Sequence, residues 1–510
     1  MRRSCIWFSL ILFFVFAVLL FGLAQSAAAE AKRPHVLLII CDQMHPKAMG
    51  NAGWPIKTPA LDKLASEGTR FANAYCAAPI CSPSRYSMLT GKYPSETGVL
   101  TNGIAPHPDL PYLTNMLRDA GYQTATVGKL HHTPGTETHG FEFVRNHEFY
   151  MSTGGFSDYG SWLNQALATR PEVKRRPLDM MKNLNGKHWG FIPEETVGVN
   201  WAPDDLTPEA WTTDEVLKYF REHKDEAQPI FMHASYFPPH HPYGPIQKYL
   251  DMYKQEDMPT PEGWEKFKNT QGHFSGWTLD DFKMVKRYYF AFMTQMDVQI
   301  GRLLDGLKDM GVEDNLMVIF TADHGDMLGE HGMLYKGHAY EGSAGVPLII
   351  KYPGVYPAGK IHETPVSHID FAPTILELAG GRMRSGLRGE DLTPIARNEV
   401  DRSDRVVFSM DLRHLPYRLI LARKGDFKLV NYGRENKVEF FNLKTDPNEL
   451  DNLYPKCEKT PEYLGLKTAL DEMWARESKW MPEKMPKQGE QWFAPAPIEF
   501  GKRKGPREKR

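Results

Sequence analysis

A chain of 510 residues exceeds what one simple core organises, so it holds either a large domain with an appendage or several small domains. Its 61 basic and 63 acidic residues leave a formal net charge of −2, which gives no excess of positive charge to argue for nucleic acid as a partner, and none is expected. Five cysteines in so long a chain also exclude a disulfide scaffold.

The chain opens with two arginines, an apolar run over residues 5–24 and small residues around Ala27-Ala28-Ala29. This is the layout of a secretory signal peptide over residues 1–31, and it predicts export to the periplasm or outside the cell. The run also approaches the length of a membrane span, so an uncleaved anchor is the alternative, and membrane contact is expected only in that case. Export leaves Cys41, Cys76, Cys81 and Cys457. Cys41 reads as a small buried hydrophobe at a strand end, and the closeness of Cys76 to Cys81 leaves a loop disulfide open.

From His35 onward, short apolar runs alternate with helical stretches: "HVLLII" then "TPALDKLASEG", "LTNMLRDAG" then "TATVG", "TTDEVLKYFREH" then "PIFMHASY", and "QMDVQIGRLLDGLKDMG" then "NLMVIFTAD". The pattern predicts an α/β domain over residues 32–397, with a large, mainly parallel sheet covered by helices on both faces. Residues 150–211 break it with Gly, Pro, Asn and Trp, an irregular insertion of the functional sort. Beyond about residue 398, "RLILARKGDFKLVNYG" and "KVEFFNLKTDPNELDNLY" read as antiparallel strands followed by a helix. They predict a smaller α+β domain to about residue 500, and the basic run 501–510 reads as a solvated tail.

In such sheets, ligands bind beyond the carboxyl ends of the strands. Those ends carry Asp42 and Gln43, Lys129 and His131, His240 and His241, and Asp323 and His324. Singly, an acidic residue there caps a helix and a histidine packs in a loop. Four such sets at one edge instead make a site. Asp42, Asp323, His324 and the Gln43 amide oxygen are mostly hard donors, which suit Ca²⁺ or Mg²⁺ better than zinc. Arg85, Lys92, Lys129 and Lys336 add the positive charge that an oxyanion requires.

The stretch "CSPSRYSMLTG" from Cys81 to Gly91 resembles the signature C-x-P-S-R-x-x-x-L-T-G of the type I sulfatases, in the alkaline phosphatase superfamily. "VLLIICDQ", "GYQTATVGKLH", "FPPHHPY", "VIFTADHGDMLGEHGMLYKG" and "SHIDFAPTILELAG" follow the order of that family. The resemblance implies an alkaline phosphatase-like fold with a large mixed, mainly parallel sheet, and hydrolysis of sulfate esters. It further implies that a formylglycine-generating enzyme oxidises Cys81 to Cα-formylglycine during export, and that the hydrated aldehyde is the nucleophile. Arg85 would hold the hydrate, Lys129 and Lys336 the sulfate oxygens, while His131 would serve as base and His240, or His241, as acid. Asp42, Gln43, Asp323, His324 and the modified Cys81 would hold the metal. Gln43 stands where many family members have a second aspartate, and His324 where several arylsulfatases have asparagine. Both choices resemble the branch of choline sulfatases and phosphonate monoester hydrolases, and His324 also resembles iduronate-type sulfatases. Export and the aromatics Trp162, Trp189 and Trp201, on which sugar rings could stack, favour a sulfated carbohydrate as substrate; structural packing is the other reading of these aromatics. A phosphonate or phosphate diester is the alternative, and a silent anion-binding protein would not need the cysteine.

Overall fold

The computed structural model describes residues 33–147, 157–173, 196–269, 274, 276–382 and 386–487. The apolar amino-terminal run, Trp189, just under half of the insertion and the basic tail lie outside them. No helix among the described residues is long and apolar enough to cross a membrane.

An eight-stranded sheet organises the large domain. Its strands lie in the spatial order Lys360–His362, Thr69–Phe71, Leu348–Lys351, Leu316–Ala322, His35–Cys41, Ile230–Tyr236, Gln123–Gly128 and Phe143–Asn146. The last five run parallel, whereas Leu348–Lys351 is antiparallel to Leu316–Ala322 and to Thr69–Phe71. The sheet is therefore mixed at one edge and parallel where the predicted strands lie. His35–Cys41, Ile230–Tyr236 and Leu316–Ala322 bury all seven residues each, as strands covered on both faces must.

Two helix groups provide the cover. One contains Pro59–Glu67, Pro208–His223 and Leu279–Asp309, and the other contains Cys81–Thr90, Leu113–Asp119 and Phe371–Leu378. Leu279–Asp309 starts 16 residues before the stretch that predicts it, at a capping box formed by Thr278 and Asp281. Its Asp297 accepts the Ala60 and Leu61 amides at 3.0 and 2.9 Å, satisfying first-turn donors of Pro59–Glu67. Burial pushes that carboxyl up to about 7.

The second sheet is antiparallel, in the order Val406–Asp411, Leu419–Lys424, Phe427–Tyr432 and Lys437–Asn442, with the helix Pro461–Glu477 against it. It docks through Lys428, fully buried between Glu341 and Glu449 at 2.7 and 2.6 Å. All four described cysteines are free. The loop disulfide left open by the sequence is absent: Cys76 donates to the Ala344 carbonyl at 3.2 Å, while Cys81 faces elsewhere.

Candidate active site

Cys81 opens a helix whose ten residues, Cys81–Thr90, are all buried. The N-cap residue Ile80 has no capping side chain, and the Ser82 amide is met instead by Asn102 Oδ1 at 2.9 Å. Cys81 thus occupies the positive end of the helix, fully shielded from solvent. One turn on, Arg85 shares its face. Lys92, counted among the cations by sequence, lies beyond the other end, roughly 15 Å along the helix axis. It pairs there with Glu96 and the Gly386 carbonyl, away from the site.

Arg85 joins four segments. Its Nε donates to Asp323 Oδ2 at 2.9 Å, Nη2 to Asp42 Oδ2 at 3.2 Å, and Nη1 to the Lys129 carbonyl and Ser235 Oγ at 2.9 and 2.8 Å. Gly128 makes this junction feasible. Its φ is +104°, and a Cβ there would stand 1.9 Å from the Ser235 carbonyl, which accepts the Lys129 amide.

Around Cys81 Sγ stand Lys336 Nζ at 2.9 Å, His324 Nε2 at 3.2 Å and Asp42 Oδ1 at 4.0 Å. Lys129 Nζ pairs with Asp42 and lies 5.2 Å from the Phe237 ring centre. Burial alone would raise the Cys81 thiol, but Lys336, His324 and Lys129 outweigh it and hold the group well below the usual thiol range. Asp42 is likewise pushed up by burial and by Cys81, yet ends far below the carboxylate range because Lys129, His240 and Lys336 prevail.

The structure separates the two histidines of "PPHHP". His240 Nε2 accepts from Lys336 Nζ at 2.8 Å beside the nucleophile position, and burial with the Lys336 charge lowers it to about 4. His241 Nδ1 instead meets Gln43 Nε2 at 3.0 Å, and its ring lies 4.1 Å from that of Tyr335. His131 adopts a left-handed φ of +54°, and its interaction with Cys81 also helps lower the thiol, while Ser82 Oγ donates to the His131 carbonyl at 2.8 Å. Trp162 and Trp201 are partly buried against the main core.

Asp42, Cys81, Asp323 and His324 offer ligand atoms that all lie within 4.8 Å of one another. His324 Nδ1 donates to the Gly325 carbonyl at 2.9 Å, so Nε2 is the nitrogen that faces the group, and its lone pair becomes available to a cation when that nitrogen gives up its proton. Gln43 Oε1 is buried without a partner among the described residues, and the Gln43 backbone N–H donates to Asp323 Oδ1 at 3.0 Å. These residues fit a hard divalent cation: two carboxylates, an unpartnered amide oxygen and one imidazole.

Sequence missed Ser84, whose Oγ donates to the Asp323 carbonyl at 2.5 Å, and also Ser235, Asp326 and Tyr243. Only Ser84 carried a signal, since it lies inside the "SPSR" turn.

Buried histidines also set the acid response. Burial holds His147, His233 and His368 at about 3 and His139 at about 4. The unfolded chain binds protons on these groups below its ordinary value of about 6.5, whereas the folded chain does not until much lower pH. The stability they contribute is complete above about pH 6.5 and is lost as pH falls toward 3. A lower urea midpoint at pH 5 than at pH 7.5 is expected, and equal midpoints would contradict this linkage.

The mixed, mainly parallel sheet, with lysines and a metal-fitting group at the carboxyl ends of its strands and a smaller antiparallel sheet beside it, is an alkaline phosphatase-like fold. The sulfatase family model matches residues 34–381, and the model described as N-sulphoglucosamine sulphohydrolase, C-terminal, matches residues 329–476. The chain belongs to the sulfatase family and is a sulfuric ester hydrolase. It is 31% identical to the choline-sulfatase of Rhizobium meliloti over 446 residues, covering 82% of each chain. It is 27% identical to the N-acetylglucosamine-6-O-sulfatase of Bacteroides thetaiotaomicron over 532 residues, covering 89% of each. Its fold is similar to that of the phosphonate monoester hydrolase of Agrobacterium radiobacter, with a TM-score of 0.72 and 24% identity over 87% of this chain and 96% of that one.

Proposed function

We propose that the protein is an exported sulfatase acting on sulfate esters of carbohydrates, with Cys81 converted to Cα-formylglycine by a formylglycine-generating enzyme. The observation that carries this reading is the position of Cys81: it begins a buried helix, with Lys336 and His324 within 3.2 Å of Sγ and Arg85 on the same face. In the modified protein, the aldehyde hydrate oxygens take the place of Sγ. The N-acetylglucosamine-6-O-sulfatase relative and the carboxyl-terminal family model support a sugar substrate.

Asp42, Gln43, Asp323, His324 and the modified residue 81 would hold Ca²⁺ or Mg²⁺. Bound there, such a cation supplies Lewis-acid stabilisation of oxyanions. The remaining chemistry belongs to side chains. Lys129 and Lys336 grip the sulfate oxygens as point charges, and Arg85 fixes the residue-81 hydroxyls against both carboxylates. An anionic ester beside Lys336 offsets that ammonium's field and returns His240 toward its ordinary value, so that it can hold the proton needed by the departing alcohol. His131 takes the proton of the second hydroxyl as the carbon–oxygen bond to sulfate breaks and the aldehyde re-forms.

Gln43 favours one second reading. It makes the ligand set less negative than a paired aspartate would, as expected for the branch that includes phosphonate ester hydrolysis. Co-expression with a formylglycine-generating enzyme and a panel of sulfate, phosphate and phosphonate esters decides between the readings; a preference for phosphonate esters would overturn the first.

Elemental analysis of active protein should show calcium or magnesium, and stoichiometric zinc alone would contradict the ligand chemistry. Asp323→Ala should remove measurable turnover, because it deletes both a metal-fitting carboxylate and a partner of Arg85. Retention of a large fraction of turnover would take Asp323 out of the mechanism.

A further inference from the structure

We propose that Asp326 is a positioning residue: a buried carboxylate that orients the Gln43 side chain so that the amide oxygen, and not the nitrogen, is presented to the metal-fitting group. The inference rests on the metal reading given above. Asp326 is fully buried and accepts four hydrogen bonds. Oδ2 receives Gln43 Nε2 at 2.6 Å and the Tyr243 hydroxyl at 2.5 Å, while Oδ1 receives the amides of Tyr335 and Leu328 at 2.8 and 3.1 Å.

A carboxylate offers only acceptors, and a primary amide has one end that donates and one that accepts. Turning the Gln43 amide over would bring Oε1 against the acceptor-only Asp326 Oδ2 and lose that bond, and it would keep the contact with His241 Nδ1 only in the ring's other tautomer. Asp326 therefore sets the orientation, which leaves Oε1 buried with no partner among the described residues. Asp326 also ties this amide to the two loops that complete the site. Tyr335 precedes Lys336, and Tyr243 follows His240 and His241.

The test exchanges an amide and a carboxylate. In Asp326→Asn the side-chain oxygen still serves the Tyr335 and Leu328 amides, so its nitrogen must face Gln43. Two donors then oppose each other, and the Gln43 amide turns its nitrogen toward the metal group. Calorimetric titration of chelator-treated protein with Ca²⁺ should show affinity lowered roughly 10–100-fold, with circular dichroism unchanged. The double variant Gln43→Glu with Asp326→Asn restores a donor facing an acceptor and should recover most of that loss. Gln43→Glu alone places two carboxylates in contact and should bind Ca²⁺ more weakly than the double variant, despite carrying more negative charge.

Wild-type affinity in Asp326→Asn, or a double variant no tighter than Asp326→Asn, would overturn the inference. So would tighter binding by Gln43→Glu alone, which would make charge and not orientation the governing factor. Failure of the wild-type protein to bind either Ca²⁺ or Mg²⁺ would remove the metal reading itself, and this inference with it.

Discussion

Cys81→Ser should reduce turnover by orders of magnitude while leaving the fold intact. The two side chains differ little in size, and the site's contacts to Sγ come from groups that a hydroxyl also satisfies. The chemical difference lies in the number of oxygens on one carbon. A formylglycine hydrate has two hydroxyls, so that one attacks sulfur and the other later expels sulfate by reverting to the aldehyde. A serine side chain has one, so that it can take up a sulfuryl group but has no such route to release it. Mass spectrometry of the wild-type peptide containing residue 81 should show loss of one sulfur and two hydrogens and gain of one oxygen. The variant, after exposure to substrate, should retain one SO₃ unit. Equal turnover by modified wild type and Cys81→Ser would refute the mechanism.

Arg85→Met should destabilise the metal-free protein by about 3–5 kcal/mol, because it leaves two buried carboxylates without their shared cation. Asp42 and Asp323 are both fully buried, and Arg85 is held above its already high ordinary value chiefly by them, against the opposing pull of burial. Arg85→Lys keeps the charge but has one nitrogen where three reach four acceptors, so it should recover part of the stability and little turnover. Urea unfolding in chelator measures the first effect and ester hydrolysis the second. A loss below about 1 kcal/mol in Arg85→Met, the size expected of an exposed pair, would mean that the carboxylates are satisfied without it.

The parts of the site that sequence exposes are those set by local geometry. Cys81 and Arg85 share a helix face because they are four residues apart, and Asp42, Lys129 and Asp323 sit where apolar runs end. Four of the five parallel strands were legible because each is a short, mostly apolar run beside a helical stretch; Phe143–Asn146 was not, since half of its four residues, Arg145 and Asn146, are polar. The antiparallel edge was not, since Thr69–Phe71 and Lys360–His362 have only three residues each. Leu279–Asp309 was seen only in its second half, because residues 289–297 are buried all round and show no amphipathic stripe. Asp326 reads as another acidic residue in a polar loop; its role depends on a partner 283 residues away, and no local pattern encodes that. Lys92 erred in the opposite sense, since proximity in sequence to Cys81 places it at the wrong end of a helix.

That dependence on distant partners also governs how the protein reaches its working form. Cys81 meets Lys336 across 255 residues, and Arg85 meets Asp323 across 238. Closing loops of that length must precede any reward from the contacts, so the centre forms late and slowly relative to the local helices. During that interval the segment around Cys81 is open to another protein, and afterward it is sealed beneath the sheet edge with none of its thiol exposed. If Cys81 is converted as proposed, the conversion belongs to this interval, and each molecule's activity becomes a matter of timing: a chain that folded first would be complete in every other respect and yet inert.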